Sequence, residues 1–219
     1  EKPSRAARGA MMGMVKAACP EPGPMKKLMI VWAHSMARPD SQGGTADRGE
    51  RGRKRTVKRV NAILSHPLYQ KCYRRLEILE KDRKFCCHQM PHLMDVARIA
   101  YIICLEQDLG IKKDVIYGAA ILHDIGKYVQ YEEGIPHEVS GEKIASEILN
   151  SLPGDCVYSE EEKRMILTGI RGHRRLRDHA EPLERLLYTS DKVSRMCFAC
   201  PAQSECDWSA EKKNMGISV

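Results

Sequence analysis

The sequence predicts an all-α domain, a helical bundle of five to seven helices, with a disordered or loosely ordered N-terminal extension. Three observations carry that expectation. From about residue 56 onward apolar residues recur at helical spacing. No run after that point alternates polar and apolar residues between turn signals, as a half-buried strand would. Residues 1–55 are instead rich in Pro, Gly, Ser and Arg, with no sustained period beyond a short apolar piece at "LMIVW". The expected organisation is thus a basic extension over 1–55, a helical domain over 56–210 and a tail over 211–219.

Each helix has its own signals. Val57, Val60, Ile63 and Leu64 share one face before a break at "SHP" (65–67), and Leu68, Cys72, Leu76 and Leu79 form the next stripe. "MPHLMDVARIAYIICLEQDLG" (90–110) opens with Pro91 and stops at Gly110, with Leu93, Val96, Ala97, Ala100, Ile103 and Cys104 as a buried face. "KKDVIYGAAILHDIGKY" (112–128) is nearly all apolar between charged ends and reads as the central helix. "HEVSGEKIASEILNSL" (137–152) is amphipathic. "SEEEKRMILTGIRGH" (159–173) opens as a capping box with acids at the positive helix end. "EPLERLLYTSDKVSRM" (181–196) begins with an acid and Pro182.

Charge is unevenly spread. The net charge is +7, yet residues 1–60 hold 14 Lys/Arg against 5 Asp/Glu, so the excess lies in the extension, above all in "RGERGRKRTVKR" (48–59). Such a run is compatible with nucleic acid or an acidic surface, and is more commonly a solvated tail. The remainder has no basic patch interleaved with aromatics, which argues against a single-strand binder. No apolar run approaches the roughly 18–20 residues of a membrane span. "KKLMIVWAH" (26–34) lacks a small-residue cleavage site, so the expected location is cytoplasmic, with no membrane partner.

The chemistry gathers around "AAILHDIGKYVQY" (119–131), where a buried helix runs into His123-Asp124 and Lys127 follows. His92 lies in the first turn of its helix, His137 opens the next and His173 closes another. Asp191 sits midway along the last, flanked by Leu187 and Val193 rather than by a plainly polar face. Buried imidazoles and carboxylates need a compensating charge, and a divalent metal supplies one.

The order His92, His123-Asp124, Asp191 resembles the HD superfamily of metal-dependent phosphohydrolases over about residues 85–195, with "ILHDIGK" as its most specific piece. The resemblance implies that His92, His123, Asp124 and Asp191 hold one metal. His137 and His173 match the branch that holds a second metal, with Asp124 bridging; that branch includes bacterial hydrolases of diadenosine tetraphosphate. Imidazole with carboxylate suits Fe, Mn or another first-row ion, and admits Mg or Zn. Two metals clamp a phosphate and acidify a water that attacks phosphorus in line. The implied catalytic residues are Asp124 and Lys127, with Lys127 facing the phosphate. Arg171, Arg174 and Arg175 are candidate phosphate clamps because guanidinium forks match phosphate. The expected partner is a small phosphate substrate, a nucleotide, with base or sugar recognised by 130–136 and 174–182.

Nine cysteines, five of them in two tight clusters, suit metal ligation better than a disulfide framework. Cys197, Cys200 and Cys206 form C-x2-C-x5-C, and the segment before His92 offers a fourth ligand in Cys86, Cys87 or His88. Four cysteines imply structural zinc or an iron–sulfur cluster, with Trp208 packed over it. "FCCH" early and "CFACPA" late resemble a group of bacterial HD-domain proteins in which Cys86 is the matching cysteine. Two alternatives to a hydrolase are a metal-bound regulatory or nucleic-acid-binding module using the basic extension, and an HD-type di-iron oxygenase. Lys127 and the arginines favour phosphate.

Overall fold

The computed structural model describes residues 57–217. The expected extension over 1–55, its "LMIVW" piece and most of its basic run lie outside the described residues. Within them the chain is helical, with no strand: α1 (Lys58–Ser65), α2 (Pro67–Leu79), α3 (Met90–Glu106), α4 (Lys113–Leu122), α5 (Lys127–Glu133), α6 (His137–Asn150), α7 (Glu160–Gly172) and α8 (Pro182–Val193). Short 3-10 turns follow at Cys197–Ala199, Gln203–Glu205 and Ala210–Lys212.

The most apolar helix is the centre of the bundle. Val115, Ile116, Ala119, Ala120, Ile121 and Leu122 of α4 are all buried, as expected for a helix apolar on every side. Helices α3 and α7 cover α4, while α8 closes against α3 and α7. Helix α1 lies on α4 and α2, and α5 packs between α2 and α6. Leu93, Val96, Ala97, Ala100, Ile103 and Cys104 of α3 are buried, the face expected from their spacing.

Two helices depart from the sequence expectation. The single helix expected over 112–128 is two, because α4 ends at Leu122 and His123-Asp124-Ile125-Gly126 form a turn before α5. That division adds an eighth helix, and it puts Lys127 at the first position of α5 rather than near a helix C-terminus. Helix α3 stops at Glu106, short of Gly110. Asp108 takes a left-handed backbone (φ 50°) and Leu109 N–H bonds the Cys104 carbonyl at 3.0 Å. This is the six-to-one closure of a helix end that glycine usually supplies.

Capping is as the sequence reads. Ser159 Oγ accepts from Glu162 N–H at 3.2 Å, and Glu162 returns a carboxylate to Ser159 N–H at 3.0 Å. Pro182 opens α8, where Glu181 and Glu184 make the equivalent box. Lys213 and Asn214 fasten the C-terminal segment to the domain. Asn214 Nδ2 donates to the Val193 carbonyl at 2.7 Å, and Lys213 Nζ donates to the carbonyls of Gln203 and Cys206.

Candidate metal centre

All six His and Asp residues singled out in the sequence meet at one end of the bundle. They come from five places: His92 from the first turn of α3, His123 and Asp124 from the α4–α5 turn, His137 from the start of α6, His173 from the end of α7 and Asp191 from α8. Their ligand atoms fall into two groups that could each hold an ion. One comprises His92, His123, Asp124 and Asp191; the other comprises Asp124, His137 and His173.

Asp124 belongs to both groups and gives one oxygen to each. Its Oδ2 is 3.1 Å from His123 Nε2 and 3.5 Å from His92 Nε2. Its Oδ1 is 3.4 Å from His137 Nε2 and 3.8 Å from His173 Nε2. Asp191 Oδ1 lies 3.3 Å from His92 Nε2 and 4.0 Å from His123 Nε2. His137 Nε2 and His173 Nε2 are 3.0 Å apart.

The far side of every imidazole is already occupied. His123 Nδ1–H donates to the Ala120 carbonyl and His173 Nδ1–H to the Ile170 carbonyl, both at 2.6 Å. His137 Nδ1–H donates to Gln130 Oε1 at 2.5 Å. His92 Nδ1–H donates to Ser194 Oγ at 3.2 Å, and that hydroxyl donates to the Asp191 carbonyl. With each Nδ1–H committed, the Nε2 atoms of His123, His137 and His173 are left facing the shared centre as acceptors, the tautomer that metal ligation requires, while His92 Nε2 in this structure accepts from Arg195.

The donor set fits a metal on the structure's own terms. His123 Nε2 and Asp124 Oδ2 are buried and have no hydrogen-bond partner, a costly state for polar atoms unless an ion completes them. Burial pushes His137 down to about 2 and His173 down to about 4, so both stay neutral and able to ligate. Burial alone would raise the Asp124 and Asp191 carboxyls, but His123 beside the first, and His92 and Arg195 beside the second, hold both well below the usual range.

The phosphate residues expected from the sequence divide. Lys127 lines a cavity of about 460 Å³ with His88, Arg83 and Arg195, and burial lowers its ammonium. Arg171 instead pairs with Glu142 at 3.4 Å, and Arg174 pairs with Glu138 at 3.5 Å. Arg174 and Arg175 line a different cavity, with Tyr188, Lys192 and Lys212, and Trp208 borders both cavities.

The cysteines are brought near one another without converging. Cys86 and Cys206 line the 460 Å³ cavity, and Lys84 pairs with Glu205 at 2.5 Å across the two segments. Among the described residues the groups of three or more converging ligands are the two His/Asp groups, and no cysteine is part of them. His88 is not free to replace a cysteine through Nδ1, which is hydrogen-bonded to the buried Glu80; Glu80 also accepts from His88 N–H at 2.6 Å and from Tyr131 Oη at 2.7 Å.

Two contributors escaped the sequence reading. Arg195, only 8% exposed, donates from Nη2 to His92 Nε2 at 2.9 Å and to Asp191 Oδ1 at 3.2 Å. It lies four residues after Asp191 on the same face, a spacing that could have flagged it. Gly126 lets α5 and α6 touch: a Cβ there would collide with the Gly141 nitrogen, the His137 carbonyl and Ser140 Oγ. Only the glycine in "HDIG" hints at that approach.

A family model described as "HD domain" matches residues 91–196. An uncharacterised protein of Clostridium beijerinckii is 48% identical over 159 residues, which cover 73% of this chain and 98% of that protein. No solved structure matches the chain.

Proposed function

The chain belongs to the HD-domain family, and on that premise we propose that it is a metal-dependent phosphohydrolase acting on a phosphate ester or anhydride of a nucleotide-like molecule. The family is mostly metal-dependent hydrolases. The observation that carries the reading is the pair of ligand groups sharing Asp124, with His123 Nε2 and Asp124 Oδ2 buried and unpartnered. In it His92, His123, Asp124 and Asp191 hold one divalent ion, and Asp124, His137 and His173 hold a second. Iron or manganese suits the donors best, with zinc or magnesium as substitutes. When bound, such ions polarise a phosphoryl oxygen and lower the pKa of a water.

The chain's own residues do the rest. Asp124 spans the two groups, fixing their separation. The Nδ1–H bonds to Ala120, Ile170, Gln130 and Ser194 hold the imidazoles in ligating orientation. Lys127, without an ion pair among the described residues, offers its ammonium to a phosphate oxygen in the adjoining cavity. We propose further that Cys86, Cys197, Cys200 and Cys206 hold zinc or an iron–sulfur cluster. Support comes from the C-x2-C-x5-C spacing and from Cys86 and Cys206 lying on the same cavity wall.

The test is Asp124→Ala, read by metal content and by phosphate release from a panel of phosphate esters. The variant should lose bound metal and fall by more than about 100-fold in turnover, beyond the roughly 10–100-fold cost of losing a partner of a ligand. Undiminished phosphate release would sink the assignment. Dioxygen uptake by the iron form in place of phosphate release would put the scaffold to oxygenase use.

A further inference from the structure

The cavity beside the His/Asp groups is walled largely from outside the family match, with Lys127 and Arg195 the lining residues inside it. Arg83, Phe85, Cys86 and His88 come from the α2–α3 segment, and Glu205, Cys206, Asp207 and Trp208 come from the C-terminal segment. Both lie beyond residues 91–196. The family match covers the His/Asp framework, while this part of the wall is built from beyond it, and the loops beside a site are where substrate choice is made.

Its composition is specific. Three cations line it, Arg83, Lys127 and Arg195. The Lys127 ammonium has no hydrogen bond or ion pair among the described residues, and Arg195 Nε is buried without a partner. The Lys127 ammonium is lowered by burial and further by Arg195 and Arg83, although Asp124 opposes them. Arg83 Nε donates to the Cys86 carbonyl at 2.9 Å and Arg195 is held by Asp191, His92 and the Cys87 carbonyl, so the Lys127 ammonium is the unpaired cation of the three. An unpaired ammonium flanked by two guanidinium groups calls for an anion, and phosphate oxygens suit all three. Of the carboxylates on the wall, Glu205 is taken by Lys84, whereas Asp207 has no partner among the described residues. Two aromatic faces complete it: Phe85 is 39% exposed, and half-buried Trp208 stands where this cavity meets its neighbour. A volume of about 460 Å³ falls within the roughly 300–1,000 Å³ of small-molecule sites.

We propose that segments 83–88 and 205–208 form a nucleoside-phosphate subsite in which Trp208 and Phe85 stack on the base, Asp207 accepts from the sugar hydroxyls, and Arg83 and Arg195 join Lys127 on the phosphate. This rests on the hydrolase reading for the fate of the phosphate, but not for binding. It moves recognition away from segments 130–136 and 174–182, and away from Arg171 and Arg174, which do not line this cavity.

The experiment is calorimetric binding to the full metal-loaded chain, with adenosine 5′-monophosphate, ribose 5-phosphate and inorganic phosphate as probes. Base stacking is worth about 1–3 kcal/mol, so the nucleotide should bind about fivefold or more tightly than the sugar phosphate. Trp208→Ala should erase that difference while leaving inorganic phosphate affinity unchanged, and Trp208→Phe should restore most of it. Arg83→Ala should weaken all three probes, by about tenfold for the loss of a charged hydrogen bond. Equal binding of nucleotide and sugar phosphate by the unmodified chain overturns the subsite, and needs no variant to fold. A base preference unaffected by Trp208→Ala overturns it as well. The two readings fail separately. Base-selective binding with no phosphate release leaves the subsite standing and removes the hydrolase, whereas release from phosphate esters without base preference does the reverse.

Discussion

Glu162 shows how much one residue can organise. Its carboxylate closes the α7 capping box on Ser159 N–H, takes Arg59 Nη1 from α1 at 2.5 Å and Nη2 at 3.2 Å, and takes Lys112 Nζ ahead of α4 at 2.9 Å. The Arg59 hydrogen bond, aided by Lys112 and Ser159 and opposed by burial, pushes its carboxyl down to about 2. A depressed folded pKa stabilises above the unfolded value, about 4.3, and that contribution fades as pH falls toward 2. Glu162→Gln should therefore cost about 1–3 kcal/mol at neutral pH, the range for a hydrogen-bonded charge. The gap from the unmodified chain should narrow in denaturant melts as pH is lowered from about 4.5. A constant gap would mean that the carboxylate's charge is not what binds the three elements.

At the scale of elements, the decisive feature is the turn between α4 and α5. By ending α4 at Leu122, the chain turns through His123–Gly126 and starts α5 against α6. The close approach is made at Gly126, against the backbone of His137 and Gly141. Backbone cannot yield as a flexible side chain can. Gly126→Ala should therefore cost about 1–3 kcal/mol, as overpacking does, and it should loosen metal at the same time because His137 carries one of the ligands. Measuring Tm with and without added manganese would separate the two effects. A variant with unaltered Tm and metal retention would show that α5 and α6 can part without disturbing the centre.

For the whole molecule, the C-terminal segment closes the bundle at the end where the ligands gather. Asn214 reaches back to Val193, Lys84 meets Glu205, and Arg195 bonds the Cys87 carbonyl at 3.3 Å. Residues distant in sequence are thereby held beside the His/Asp groups. If a metal on the cysteines fastens this closure, Cys200→Ser should release zinc or iron from the purified protein and lower Tm by more than about 4 °C, the shift for at least one kcal/mol in a chain of this size. Unchanged Tm and metal content would leave the hydrogen bonds and ion pairs as the only fastening.

The sequence by itself determined the helical class, the buried faces of α3 and α4, the capping of α7 and α8, and the identity of six candidate ligands. The class, faces and caps follow from local rules, periodicity and capping, and the six ligands from the resemblance of "ILHDIGK" and the His/Asp order to the HD superfamily, since buried His and Asp need something to compensate them. Only the tertiary structure decided which carboxylate oxygen faces which imidazole, that the helix breaks at His123, and that Arg195 and Arg83 stand by the centre while Arg171 and Arg174 pair with glutamates elsewhere. The physical reason is that a guanidinium or an indole has no local signature of its role. Its partners come from other helices, and which ones reach it depends on how the bundle is packed.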